Sequence, residues 1–170
     1  DEAQAILSGN GLLTLAFELL SQKYDSVVCN EISKVSGAYG LAGGQSIDIA
    51  SESKKLNLKK ILYIHELKTA KLFEFCISAP FLTLNDNKKS KLAIKYGNLL
   101  GKTFQIVDDI IDADQDEDNK NILNYMSKEE AILMCNDYKT QGDRYLSKLF
   151  PRKDNKLSHM FDYIIRQADD

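Results

Sequence analysis

The nine residues Phe104-Gln105-Ile106-Val107-Asp108-Asp109-Ile110-Ile111-Asp112 put three carboxylates inside an otherwise apolar helical run. At i, i+1 and i+4 the acids share an arc of about 100° on a helix, with Phe104, Gln105 and Gly101 on or beside the same face. Acids so crowded repel one another unless a cation shares them, and an all-oxygen set favours a hard ion. Mg²⁺ suits such a wall when waters and substrate phosphates complete its ligands. The spacing therefore predicts a helix wall for a metal-bridged diphosphate. An acidic triplet is ordinarily solvated surface, but here Phe104, Ile106, Val107, Ile110 and Ile111 flank it and demand burial.

The remaining pattern is helical, with no alternating run to argue for a strand. Only two prolines and nine glycines in 170 residues leave room for long helices. Apolar spacing predicts helices over 3–20, 27–39, 57–79 and 86–112. Ser127-Lys128-Glu129-Glu130 reads as a capping box opening a helix to 148. A last amphipathic helix carries Leu157, Met160, Phe161, Ile164 and Ile165. Gly9 and Gly11 permit a break or close packing. Gly40, Gly43 and Gly44 each cost about 1 kcal/mol of helix propensity and mark a close approach of helix or ligand. Pro80 predicts a helix end or kink. Segment 113–121 lacks apolar periodicity and is expected to be mobile without ligand. The reading is one all-α domain over 1–170, a bundle of about six to eight long helices.

A net charge of -3 supplies no basic field for nucleic acid. From Asp108 to Asp118 the chain carries seven acids and no base. Cys29, Cys76 and Cys135 are far apart, odd in number and outside any CxxC or Cys/His cluster, which argues against zinc and a disulfide framework. They read as core fillers in a reducing cytoplasm. No apolar run looks long enough to span a bilayer, and Asp1-Glu2-Ala3 does not open a signal peptide, so no membrane insertion is expected.

Several segments, in order, resemble the trans-prenyltransferases, the polyprenyl diphosphate synthases typified by bacterial short-chain farnesyl diphosphate synthases. Glu2-Ala3-Gln4-Ala5-Ile6-Leu7-Ser8-Gly9-Asn10-Gly11-Leu12-Leu13 is similar to the family's EAxAILAGDALL, with Asn10 where aspartate is usual. Gly43-Gly44-Gln45-Ser46-Ile47-Asp48 resembles GGQxxD, and His65-Glu66-Leu67-Lys68-Thr69 ends in the KT pair. The acid run above resembles FQxxDDxxD. Asp118-Asn119-Lys120 looks like the later DNK, and Asp162-Tyr163-Ile164-Ile165-Arg166 is like the family's C-terminal ending. Two departures stand out. The family's earlier aspartate-rich motif with paired arginines would precede Asp1, and the loop between Asp112 and Lys120 is about a dozen residues shorter than usual. Together they imply the ordered part of a longer protein; a chain truly beginning at Asp1 would hold half an active site and be inactive.

The resemblance implies an isoprenoid-synthase-like fold lacking its N-terminal helices. It also implies condensation of isopentenyl diphosphate with dimethylallyl or geranyl diphosphate to give farnesyl diphosphate. Asp108, Asp109 and Asp112 would hold several Mg²⁺ ions bridged by diphosphate. Lys68, Asp108 and Lys120 would be catalytic. Lys68, Thr69, Phe104, Gln105, Lys120, Gln45 and Asp48 would bind substrate, with Phe104 lining an apolar cavity that protects a carbocation from water. The released diphosphate would take the proton, leaving His65 a packed or capping residue. A homodimer is expected. The alternatives are an inactive or regulatory homologue, or a synthase of geranyl or geranylgeranyl diphosphate, since residues before the first motif set product length.

Overall fold

Five of the helices begin where a short polar side chain satisfies one of their first free amides. A computed structural model describes residues 1–52, 54–114, 120–151 and 155–168. Asp1 caps α1 (Glu2–Lys23), Asp25 caps α2 (Ser26–Ser36), and Asn57 caps α4 (Leu58–His65). α3 (Leu41–Ile49) starts at Gly40 without a side-chain cap. α4 runs directly into a π-turn, Glu66–Ala70, and then α5 (Lys71–Thr83). Asp86 caps α6 (Asn87–Ile111), the longest helix, and Ser127 and Glu130 form both bonds of the expected capping box on α7 (Lys128–Leu149). α8 (Met160–Arg166) closes the order. Among the described residues there is no strand, so the all-α expectation holds.

The core gathers on α6. Tyr96, Leu100, Ile106 and Ile110 meet Cys135 and Leu146 of α7 and Phe161 and Ile164 of α8. Tyr96 sits edge-on to Phe161, with ring centres 5.6 Å apart, and its hydroxyl donates to the Leu157 carbonyl at 2.6 Å. A second cluster joins Val28 and Ile32 of α2 to Phe75 of α5, with Ala16, Phe17 and Leu20 of α1 against it.

Backbone contacts at glycines decide how closely the helices can lie. A Cβ at Gly101 would stand 2.5 Å from the Ala70 Cα, and one at Gly44 would stand 2.4 Å from the Lys68 amide nitrogen. α6 and α3 thus press on the π-turn from two directions with no side chain between. Glu66 fastens the same turn to α6. Burial pushes its carboxyl up, but Lys102 at 2.7 Å and Lys71 at 3.6 Å outweigh that and hold it below its ordinary value.

Several expectations are corrected here. The helix expected over 57–79 is a continuous helical stretch to Thr83, with the π-turn inside it. Pro80 lies inside it and the helix ends three residues later, at Thr83. The lost amide falls within the last turn, where buried Phe75, Ser78 and Phe81 hold the chain in place. Gly9 and Gly11 neither break α1 nor pack closely, for nothing lies within 4 Å of a Cβ at either. Gly43 and Gly44 lie inside a helix. Cys135 is buried, its thiol pushed up to about 12 by that burial, but Cys76 is exposed and no core filler. α1 buries none of its residues and is, by length and composition alone, long and apolar enough to cross a membrane, against the expectation of no such run. Core helices and signal sequences meet the same test. Asp118 and Asn119 lie outside the described residues, as does most of the segment expected to be mobile.

Two substitutions separate close approach from mere flexibility. Gly101→Ala should destabilise the protein by about 1–3 kcal/mol in urea titration, because a backbone must yield. Gly9→Ala should be neutral or stabilise by up to about 1 kcal/mol. The Glu66 pairs make a pH prediction. A carboxyl depressed in the folded state adds stability above its unfolded value, near about 4.3, and loses it as pH falls through the folded value. Glu66→Gln should therefore lower the melting temperature at pH 7, with the gap to the parent closing below about pH 4.

Candidate active site

Seven polar residues of the sequence reading face one cavity between α3, α4, the π-turn, α6 and the segment after it. Its lining includes Asp48, Lys68, Gln105, Asp108, Asp109, Asp112 and Lys120, joined by His65 and Asn121. The elements come from distant parts of the chain, so the gathering is a tertiary result. Thr69 stands directly behind this lining. Its hydroxyl donates to the Gln105 side-chain oxygen at 2.8 Å, which fixes the amide so that its nitrogen faces the acids. That nitrogen lies 3.2 Å from Asp108 Oδ2 and 3.3 Å from Asp109 Oδ1.

The acids of this wall, Asp108 and Asp109 on α6 and Asp112 at its C-cap, have different surroundings. Asp108 is pushed above the usual carboxylate range, first by burial and then by the charges of Asp112 and Asp109. Asp109 accepts from the protein on both oxygens. Oδ2 receives the Ile122 amide at 2.9 Å and lies 3.3 Å from His65 Nε2. The Asn121 side chain donates to the Asp109 carbonyl oxygen at 2.6 Å. Fully buried Ile122 completes this attachment, which ties the segment carrying Lys120 to the helix wall. His65 is buried, with Nδ1 unpartnered, as a packed histidine rather than a group aimed at solvent. Sequence alone could not single out Asn121 and Ile122; their signal is only that they follow Lys120.

Opposite the acids stand the lysines. Lys68 Nζ lies 3.2 Å from Asp48 Oδ2, and Lys120 Nζ lies 3.2 Å from Asp48 Oδ1. Two other expected residues are elsewhere. Gln45, one turn before Asp48 on α3, is exposed and does not line this cavity. Phe104 is exposed against Phe73, ring centres 5.7 Å apart, and does not line this cavity.

The donor set fits a hard cation. Four carboxylates face two ammonium groups, and Asp48 already holds both of those. The surplus negative charge sits on the α6 wall, where it lifts Asp108. Among the described residues no three such groups converge tightly enough to cage an ion unaided. An Mg²⁺ ion held here by one or two carboxylates would take its other ligands from water and phosphate.

Comparison with known proteins agrees with this geometry. The Polyprenyl synthetase family model matches residues 1–164. A farnesyl diphosphate synthase of Bacillus subtilis (strain 168) is 33% identical over 126 residues, 69% of this chain and 43% of that one. One from Micrococcus luteus is 31% identical over 189 residues, 98% of this chain and 64% of its own length. The crystal structure of a Helicobacter pylori geranyltransferase, complexed with magnesium and isoprenyl diphosphate, superposes with a TM-score of 0.72 at 29% identity. It is covered over 61% of its length by 99% of this chain. The chain thus spans about half to two thirds of these relatives.

The attachment at Asp109 has a measurable signature. Asp109→Ala removes the acceptor of the buried Ile122 amide, at a cost of about 1–3 kcal/mol. Hydrogen exchange at Ile122 should quicken by about tenfold or more, while the amides of α7 keep their protection.

Proposed function

From membership of the polyprenyl synthetase family, to which this chain belongs, we propose that the protein is a magnesium-dependent prenyl diphosphate synthase. It would join isopentenyl diphosphate to dimethylallyl or geranyl diphosphate and make farnesyl diphosphate, the activity named for the Bacillus and Micrococcus relatives. One observation carries the reading. Two lysines from separate parts of the chain, Asp108 and Asp109 of α6 and Asp112 at its C-cap face a single cavity, as a diphosphate and its counter-ions require.

The chain's residues divide the work by charge. Lys68 and Lys120 supply compact positive charges to phosphate oxygens. Asp108 and Asp112, with Asp109 behind them, are the carboxylates that would hold Mg²⁺. When bound, the ion would neutralise the leaving diphosphate as a Lewis acid. Gln105, oriented by Thr69, keeps the Asp108 and Asp109 carboxylates in register. Preorganised charge of this kind costs no rearrangement when the allylic C–O bond breaks. His65, occupied by Asp109, is not required as the base. The family reading also makes the protein a homodimer. α1, with Leu7 and Leu12 more than 60% exposed, offers the apolar surface that subunit contacts bury.

Purified full-length protein given isopentenyl and dimethylallyl diphosphates with Mg²⁺ should release pyrophosphate and form a longer prenyl diphosphate. No release would defeat the proposal. Asp108→Ala should cut turnover by about 10²–10³-fold, with the helical circular dichroism unchanged. An unaltered rate would remove the α6 wall from the chemistry.

A further inference from the structure

Asp48 differs from the other acids of the cavity. It lies on α3, across from the α6 wall, and each of its oxygens holds a different lysine at 3.2 Å. Its backbone carbonyl oxygen also accepts from Lys120 at 3.4 Å. Two ammonium groups brought to one place repel unless an anion lies between them. In this structure that anion is the Asp48 carboxylate, itself buried and set in place by the contact of Gly44 with the backbone of Lys68.

We propose that Asp48 is a placeholder for the diphosphate: it holds Lys68 and Lys120 apart from the wall acids before substrate binds, and releases Lys68 to the phosphate when substrate arrives. The inference rests on the prenyltransferase reading and adds a positioning residue to it. Carboxylate and phosphate both offer paired oxygens to charged donors, so one can replace the other without rebuilding the site. The two lysines are not equally held. Lys68 makes one contact with Asp48 and its side chain is 31% exposed; Lys120 touches both the Asp48 carboxylate and carbonyl and is 12% exposed. Lys68 is therefore the cation that turns, and Lys120 stays, keeping the buried Asp48 charge paired. Without this arrangement Lys68 would face Asp108, whose carboxyl it already influences from across the cavity. An ion pair between them would occupy the oxygens that a cation needs.

The test compares parent and Asp48→Asn protein. Inorganic pyrophosphate with Mg²⁺ should bind Asp48→Asn roughly tenfold more tightly by calorimetry, because no carboxylate competes for Lys68. Steady-state kinetics should show KM for the allylic diphosphate falling while kcat also falls, since the freed lysine is no longer aimed. A purely structural aspartate would instead raise KM and lower the melting temperature. Equal or weaker pyrophosphate binding by a folded Asp48→Asn protein overturns the proposal. Should that variant not fold, a crystal of the parent soaked with pyrophosphate decides. Lys68 within hydrogen-bond reach of phosphate and away from Asp48 supports it. Pyrophosphate bound with both lysines still on Asp48 overturns this proposal alone, whereas failure of pyrophosphate to bind at all removes the prenyltransferase reading with it.

Discussion

The contact of two helices with one π-turn, through glycine, governs everything else in this molecule. Gly44 of α3 and Gly101 of α6 each abut the backbone at Leu67–Ala70, where a single added methyl would overlap it. Backbones that meet without side chains between them bring short functional groups within reach. Asp48 stands one turn after Gly44, and Gln105 and Asp108 stand one and two turns after Gly101. Lys68 and Thr69, on the turn itself, then meet Asp48 on one side and Gln105 on the other. The glycines contribute no chemistry; they set the width of the space in which chemistry could occur.

Charge arranges the rest. α6 is amphipathic in an unusual sense, because its polar face near the C-terminal end is turned toward a cavity and not to water. Burying Asp108 beside two other acids works against folding, as its raised carboxyl shows. The protein offsets part of that cost with neutral donors. Gln105 serves two acids at once, and Asp109 takes the Ile122 amide, which would otherwise be an unsatisfied buried donor. The same bond anchors the segment that delivers Lys120. A group that looks in sequence like one more cation ligand is therefore also a fastening point for the opposite charge.

Much of this was legible in the chain. The acid spacing places three carboxylates on one face, the capping box at Ser127 opens α7 as read, and Lys68, Thr69, Gln105 and Asp108 all meet at or directly behind one cavity. What escaped the reading has a common cause. An extra residue per turn rotates everything after it by about 100° relative to a regular helix. Lys68 and Lys71, spaced as neighbours on one helical face, part company: Lys68 turns to Asp48, and Lys71 to Glu66 and Glu74 beside another cavity. Periodicity cannot reveal such a turn, because its residues have ordinary helix propensity. Gly43 and Gly44 pointed to a close approach, which Gly44 makes, but their low helix propensity hid α3, a helix that packing requires. Phe104, which the resemblance assigns to an apolar cavity, lies outside this polar one with its ring on Phe73, since one residue along a helix from Gln105 is a large rotation.

The unfinished character of the acid wall is consistent with the proposed chemistry. Three carboxylates converging on one point would bind a divalent ion whether or not substrate were present, and the loaded site would then repel nothing and await nothing. Here, among the described residues, the acids share a cavity without forming a cage, and one of them is already occupied by protein donors. An ion that finds one or two carboxylates must complete its coordination from solvent or from phosphate. Binding of cation and diphosphate then becomes mutual: each raises the affinity of the other by the same factor. A site built this way stays weak toward either alone and becomes strong toward the pair. The half-buried Asp108 charge, costly on its own, would be neutralised when both arrive.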